Sequence, residues 1–295
     1  MRLMLMLTLI TLLCVGGVMQ LTQRPGADLA LALRDRLAAL PGLPPPAAPL
    51  TEADLAALPP PVQRWLRTAG VLGRPPVRAV RVTFDATLYR APGQSGMRGP
   101  ATQIDVLGPT PRRLFHMRTR MFGLPVQVLH DYRADQPGQE VTMRVRLANL
   151  VNVADFSGSL LSATETVTLL NDLCAYAPSA LADPAWRSAF RWQPVDERQA
   201  RVTFTQGPHT VSALLTVDDH GHLIDFRSED RGDVKANDRV ERMPWTTPLS
   251  DFRRLDDSGR TVPGRGDAIW HRADGPFVYG RFAVTAVAYD EAALR

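Results

Sequence analysis

The sequence predicts a mainly β (α+β) fold: a large curved antiparallel sheet or half-open barrel with a helical insert, preceded by an N-terminal transmembrane helix and short helices. Three observations predict it. From Val77 onward, apolar residues recur at every second position in run after run, the period of strands with one buried face. Short spacers rich in Gly, Pro and Asp separate the runs, as hairpins require. Ahead of these runs stands an uncharged apolar stretch followed by a proline-rich one.

The apolar stretch, LMLMLTLITLLCVGGVMQL at residues 3–21, carries no charge. At about 1.5 Å rise per residue, a helix of this length just spans the hydrocarbon core of a bilayer. No A-x-A-like cleavage site follows it, and Leu12 and Leu13 stand where a lipoprotein signal needs a small residue before Cys14. An uncleaved transmembrane signal anchor over residues 1–22 is therefore expected. Arg2 favours a cytoplasmic N-terminus, although Arg24, Arg34 and Arg36 follow the span. The expected location is the cytoplasmic membrane, single-pass, with the β domain outside the cytoplasm.

Residues 23–50 read as a helix and a tether. ADLALALRDRLAAL, 27–40, has helical spacing of leucines, and PGLPPPAAP, 41–49, cannot continue it. Residues 51–295 read as a single β-rich domain with N-terminal capping helices. Thr51 and Asp54 form a capping-box start. Pro61 suits the first turn of the next helix, whose stripe of Val62, Trp65, Leu66 and Ala69 ends at Gly70.

The strand runs follow. Val80, Val82, Phe84, Ala86 and Leu88 share one face; Val141, Met143, Val145 and Leu147 share another, and Val202 with Phe204 and Phe282 with Val284 continue the alternation. About ten strands are expected. A helical interlude starts at Ser162, with an acidic first turn and with Val167, Leu170, Leu173 and Cys174 on one face. A second short helix is expected near residues 182–190. One or two helices cannot cover so wide an apolar sheet face. The sheet should therefore wrap around the insert, and such a shape leaves either a filled core or an apolar cavity.

Composition narrows the chemistry. The 295 residues carry a formal charge of +4, yet acidic residues are interspersed with the arginines and no basic run of five occurs. Nucleic-acid binding is not expected. Cys14 and Cys174 are the two cysteines, too few for a disulfide framework. His220 and His222 flank Gly221 after Asp218 and Asp219, where a hairpin turn must fall, and no HExxH, GxSxG, Walker or GxGxxG motif occurs. No catalytic residue, metal site or cofactor is expected. Phe115, Met117, Met121 and Phe122 combine flexible thioethers with flat rings, as an adaptable apolar pocket would. With Phe84, Leu88, Leu170 and Trp245 they form the candidate ligand-binding set.

The stretch LPPPVQRWLRTAGVLGRPPVRAVRV, 58–82, resembles an uncharacterised bacterial family of unknown function, as do GLPVQVLHDY (123–132), PWTTPLSDFRRL (244–255) and VPGRGDAIWH (262–271). The resemblance covers most of residues 55–290 and implies a shared fold. The meander with its helical insert is also similar in architecture to the half-open barrel of periplasmic lipoprotein carriers. Three functions are compatible with these features. The first is an envelope module binding an apolar ligand or lipid. The second is an envelope enzyme using polar groups such as Asp225, Asp251 or His271. The third is a scaffold presenting an apolar patch.

Overall fold

The computed structural model describes residues 28–40, 42–136, 140–234, 240–256 and 258–295. The expected membrane span, residues 1–22, lies outside them. Among the described residues no helix is long and apolar enough to cross a membrane.

Three short helices precede the sheet: α1 (Leu29–Ala38), α2 (Glu52–Leu55) and α3 (Pro60–Thr68). Asp28 caps α1, its Oδ1 accepting from the Ala30 amide at 2.8 Å. Thr51 and Asp54 form the expected capping box on α2. Helix α3 begins at Pro60, with both Pro60 and Pro61 in its first turn, and Gly70 stops it at φ +76°, a conformation glycine adopts without strain. Helix α1 is seated on the outer face of the sheet, where Leu29 and Ala32 bury against Leu129. Arg36 Nε reaches Asp131 Oδ2 at 2.6 Å.

The strands are β1 (Ala79–Leu88), β2 (Met97–Val106), β3 (Arg112–Met121), β4 (Leu124–Arg133), β5 (Val141–Leu147) and β6 (Val151–Ser157), then β7 (Phe190–Pro194), β8 (Gln199–Gln206), β9 (His209–Val217) and β10 (Leu223–Ser228). A short ribbon, β11 (Gly232–Val234) with β12 (Val240–Arg242), interrupts the series before β13 (Trp245–Arg253), β14 (Val262–Arg272) and β15 (Gly275–Tyr289). Thirteen of these form one sheet in the order β6-β5-β4-β3-β2-β1-β15-β14-β13-β10-β9-β8-β7. The described pairings are antiparallel throughout. Two meanders, β1–β6 and β7–β15, thus meet where β1 pairs with β15.

Helix α4 (Ser159–Tyr176) joins the two outermost strands, β6 and β7. It contacts β5 and β6 at one edge and β9, β10 and β14 in the other half. In the sheet order β5 and β9 stand nine positions apart, roughly 43 Å along a flat sheet at about 4.8 Å per strand. A single helix about 10–12 Å across can touch both only if the sheet curls around it. The curl stops short of closure: among the described residues β6 and β7 are unpaired edges, so the architecture is an open curved sheet and not a closed barrel.

Two local expectations change. Helix α4 starts at Ser159 with Gly158 as its cap at φ +116°. Ser162 therefore lies inside the helix, and its hydroxyl donates to Glu140 Oε2 at 2.8 Å. The second helix expected near residues 182–190 is replaced by two 3₁₀ turns, Pro178–Ala182 and Arg187–Ala189, because Pro178 and Pro184 punctuate the segment.

Gly99 sits where β2 and β3 press together. A Cβ there would come within 1.8 Å of the Arg118 carbonyl oxygen, which no side-chain adjustment relieves. Gly99→Ala should cost about 1–3 kcal/mol, read as a lowered urea midpoint with an unchanged m-value.

Candidate functional site

Curling leaves space between α4 and strands of both meanders. The cavity has a volume of about 430 Å³, within the roughly 300–1,000 Å³ of small-ligand pockets. Its sheet wall is mostly apolar and aromatic, with Phe84 and Leu88 from β1, Phe115 from β3, Trp245 from β13, Trp270 from β14 and Phe282 from β15. Its helix wall is polar. Thr164, Glu165, Thr168, Asn171 and Asp172 all line it, at the i, i+1, i+4, i+7, i+8 spacing of one helical stripe. The opposite stripe, with Val167, Leu170, Leu173 and Cys174, is buried in the core.

A buried ion cluster ties that polar stripe to the sheet. Arg113 on β3 donates from Nε to Asp172 Oδ2 at 2.6 Å and from Nη1 to Glu165 Oε2 at 3.2 Å. Its Nη2 also donates to Gln103 Oε1 at 3.3 Å, and Gln103 Nε2 donates to Asp105 Oδ2 at 2.8 Å. His130 Nδ1 stands 3.6 Å from Glu165 Oε1. Burial opposes ionisation of Glu165, but the contact with His130 and the Arg113 guanidinium outweigh it and hold the carboxyl at about 2. Burial, reinforced by Asp172, pushes Asp105 up to about 8. Asp105 therefore holds its proton well above the usual carboxylate range, whereas Glu165 is ionised at neutral pH. Burial raises Asp172 as well, against the opposing pull of Arg113.

A second cation stands at the cavity wall. The Arg231 guanidinium lies 4.4 Å from the Trp245 ring centroid, 5.0 Å from that of Trp270 and 5.7 Å from that of Tyr279. It donates to Thr168 Oγ1 at 3.3 Å and to the Tyr279 hydroxyl at 2.5 Å. An aromatic cage of this kind stabilises a cation in a desolvated place. Among the described residues, Asn171 Oδ1, Trp245 Nε1 and Thr247 Oγ1 are buried without a hydrogen-bond partner, and all three residues line the cavity. They supply an acceptor, a donor and a hydroxyl to whatever occupies it.

Of the eight residues the sequence singled out, Phe84, Leu88, Phe115 and Trp245 line the cavity. Met117 and Leu170 are fully buried in the surrounding core. Met121 and Phe122 lie at the β3–β4 turn, where Phe122 is 90% exposed because the turn carries it past the end of the sheet. Asp225 and His271 alternate with the inward Phe226 and Trp270 and so occupy the outer face. Asp251 sits far along β13 beside Arg253 and Arg265. His220 and His222 lie in the β9–β10 turn, their amides donating to Asp218 Oδ1 at 3.0 and 2.7 Å. Cys174 is 1% exposed, and burial pushes its thiol up, away from nucleophile chemistry.

Sequence reasoning missed Arg113, Gln103, Asp105, the polar stripe of α4 and Arg231. A signal for the first did exist. Arg113 stands in phase with Phe115 and Met117, and Asp105 faces it across the β2–β3 pair, so two opposite charges occupy the inward phase of neighbouring strands.

Fold and site together define an open antiparallel β-sheet protein curled around one helix, with an aromatic cavity floored by a buried ion cluster. The chain belongs to DUF6544, a family of unknown function, whose profile matches residues 48–282. No curated protein matches the sequence. Among solved structures it is similar to a domain from Vibrio parahaemolyticus described as belonging to an outer membrane lipoprotein-sorting protein, at TM-score 0.41 and 10% identity, covering 72% of this chain and 86% of that one. A DUF1329 family protein from Desulfovibrio piger gives TM-score 0.40 and 13% identity, over 83% and 95% of the two chains. A β-barrel-like DUF1849 protein from Brucella abortus gives 0.23 and 12%, over 72% and 98%.

Two outcomes test the cluster. Arg113→Met leaves two buried carboxylates without their cation and should cost about 3–5 kcal/mol, measured by urea unfolding. Asp105 has a folded value of about 8, above the ordinary 3.8. Its stabilising contribution is thus complete below about pH 4 and is lost as pH rises through 8. Asp105→Asn keeps the acceptor for Gln103 and cannot ionise. Its unfolding free energy should fall less than that of the parent between pH 5 and pH 9.

Proposed function

We propose that this protein binds an amphiphilic, lipid-like molecule in the cavity between the curled sheet and α4. It would do so at the cytoplasmic membrane, with residues 1–22 as the anchor and the sheet outside the cytoplasm. One observation carries the reading: a cavity of about 430 Å³ whose sheet wall is aromatic and apolar and whose helix wall is polar. The apolar body of the ligand lies against Phe84, Phe115 and Phe282, where removing its surface from water gains about 25 cal/mol per Å². Its head meets Asn171 Oδ1, Trp245 Nε1 and Thr247 Oγ1, which complement a neutral group that both donates and accepts, such as a hydroxyl or an amide.

The test is a fluorescence titration of the full chain with N-phenyl-1-naphthylamine, displaced by long-chain alcohols and by hydrocarbons of equal length. Ala268→Phe fills the cavity from β14 and should abolish probe binding while the melting temperature holds. Unchanged probe affinity in that variant would sink the proposal. Asn171→Leu removes the side-chain amide, and with it the unpartnered acceptor, at nearly constant volume. It should weaken the alcohol about threefold to tenfold, the worth of one hydrogen bond, and leave the hydrocarbon unaffected.

A further inference from the structure

The hairpin ends at one end of the sheet are apolar and open. Phe122 is 90% exposed, Val151 57%, Val153 51%, Leu124 49% and Leu150 39%. Strand register gathers them. The β3–β4 hairpin closes at Met121 opposite Leu124, the β5–β6 hairpin at Leu147 opposite Val151, and Val126 opposite Leu147 joins the two. Scattered single apolar residues on a surface need no explanation, whereas a contiguous group marks an interaction site. Phe122 adopts φ +52° in its turn, a conformation a phenylalanine adopts at a cost, so its outward position is not a relaxed default.

The rim of the patch is basic. Arg90, Arg118 and Arg120 are exposed. Arg90 donates to Met121 Sδ at 3.6 Å and Arg120 to the Gly123 carbonyl at 3.0 Å. Among the described residues none of the three has a carboxylate within ion-pair distance. Apolar tips flanked by arginines match an anionic bilayer surface, which attracts nearby basic side chains. A second copy of the chain would bring like charges together.

The chain's own path points the same way. Gln127 Nε2 donates to Asp28 Oδ1 at 3.0 Å and to Asn149 Oδ1 at 2.9 Å. Residue 28 is therefore fastened to the same end of the sheet, between the two hairpins. The apolar run of residues 3–21 ends seven residues earlier in sequence, a reach of at most about 25 Å. Wherever a bilayer holds that run, its surface lies within this distance of the hairpin ends.

We infer that the β3–β4 and β5–β6 hairpin ends, led by Phe122, dock into the interfacial layer of an anionic phospholipid bilayer. The inference stands apart from the cavity reading: it concerns the outer tips and requires no ligand inside.

The experiment uses the full chain with Cys14→Ser, leaving Cys174 buried, and an NBD fluorophore on Phe122→Cys or on Thr110→Cys. Thr110 lies in the β2–β3 turn, at the opposite end of the sheet. Both proteins are placed in phosphatidylcholine–phosphatidylglycerol vesicles. The probe at 122 should shift to the blue, resist aqueous iodide several-fold better than the probe at 110, and be quenched by a spin label on shallow lipid carbons. Arg118→Glu with Arg120→Glu should reduce that protection, while equal melting temperatures show the fold intact. Equal iodide quenching at 122 and 110 in vesicles would overturn the inference. So would protection at 122 that grows with protein concentration in detergent, since that assigns the patch to a second copy.

Discussion

One helix of 18 residues has to serve as the inner cover for a sheet of thirteen strands, and the rest of the molecule is arranged around that mismatch. A flat sheet this wide would expose apolar surface far beyond what a single helix shields. Curling brings strands from both halves against α4 and removes most of the inner face from water. It cannot remove all of it. Strands of both meanders bound the space that the helix does not fill, and the cavity is the remainder. The space is thus a geometric consequence of the strand-to-helix ratio, and residue choice decides how it is lined.

What keeps the helix in place is the cluster around Arg113. An apolar stripe alone would let α4 slide or rotate within a smooth aromatic wall. Here two of its carboxylates share one guanidinium from β3, while Gln103 on β2 and His130 on β4 complete the contacts. Three neighbouring strands therefore grip two successive turns of the helix. Buried charge of this sort contributes little net stability, because desolvation offsets attraction. Its effect is on geometry, since only one rotation and one height of α4 satisfy every partner. The raised Asp105 belongs to the same balance: burial disfavours its charge, and the neighbouring Asp172 adds to that where one guanidinium faces three carboxylates.

Much of this architecture could be read from the sequence. Alternation in Val80 to Leu88 and Val141 to Leu147 identified strands, because a half-buried strand writes its period directly into composition. The capping box at Thr51 and the stop at Gly70 were equally local. What could not be read was pairing at long range. Nothing near Val80 announces that Tyr289 is its partner, nor that the helix joins the two edge strands. The site was legible in halves. Its aromatic wall follows the strand period, so Phe84, Leu88 and Phe115 were visible. Its polar wall is hidden by a boundary: a helix starting at Ser162 makes Glu165 an ordinary first-turn acid. Starting the helix at Ser159 puts Glu165 two turns in, where a carboxylate needs a partner. Phe122 was misplaced for a similar reason, since its neighbours Phe115 and Met117 lie within a strand and Phe122 lies just past its end.

The two proposals meet in one geometric relation. The cavity's partly exposed lining residues Leu88, Tyr89 and Met97 stand where β1 leads into the β1–β2 hairpin, and that hairpin touches the neighbouring tip through Arg90 and Met121. The rim of the cavity and the apolar tips therefore share one end of the sheet. For an amphiphile, the barrier to leaving a bilayer is exposure of its chain, about 0.8 kcal/mol for each CH₂ and so roughly 8 kcal/mol for ten carbons. A binding site facing away from the membrane would impose that barrier in full on every exchange. A rim held against the interfacial layer lets the chain pass from lipid to aromatic wall while little of it is wetted at any moment. Docking of the tips would then act on the rate of loading and leave the affinity of the filled cavity unchanged, because affinity depends only on the end states and the barrier depends on the path between them.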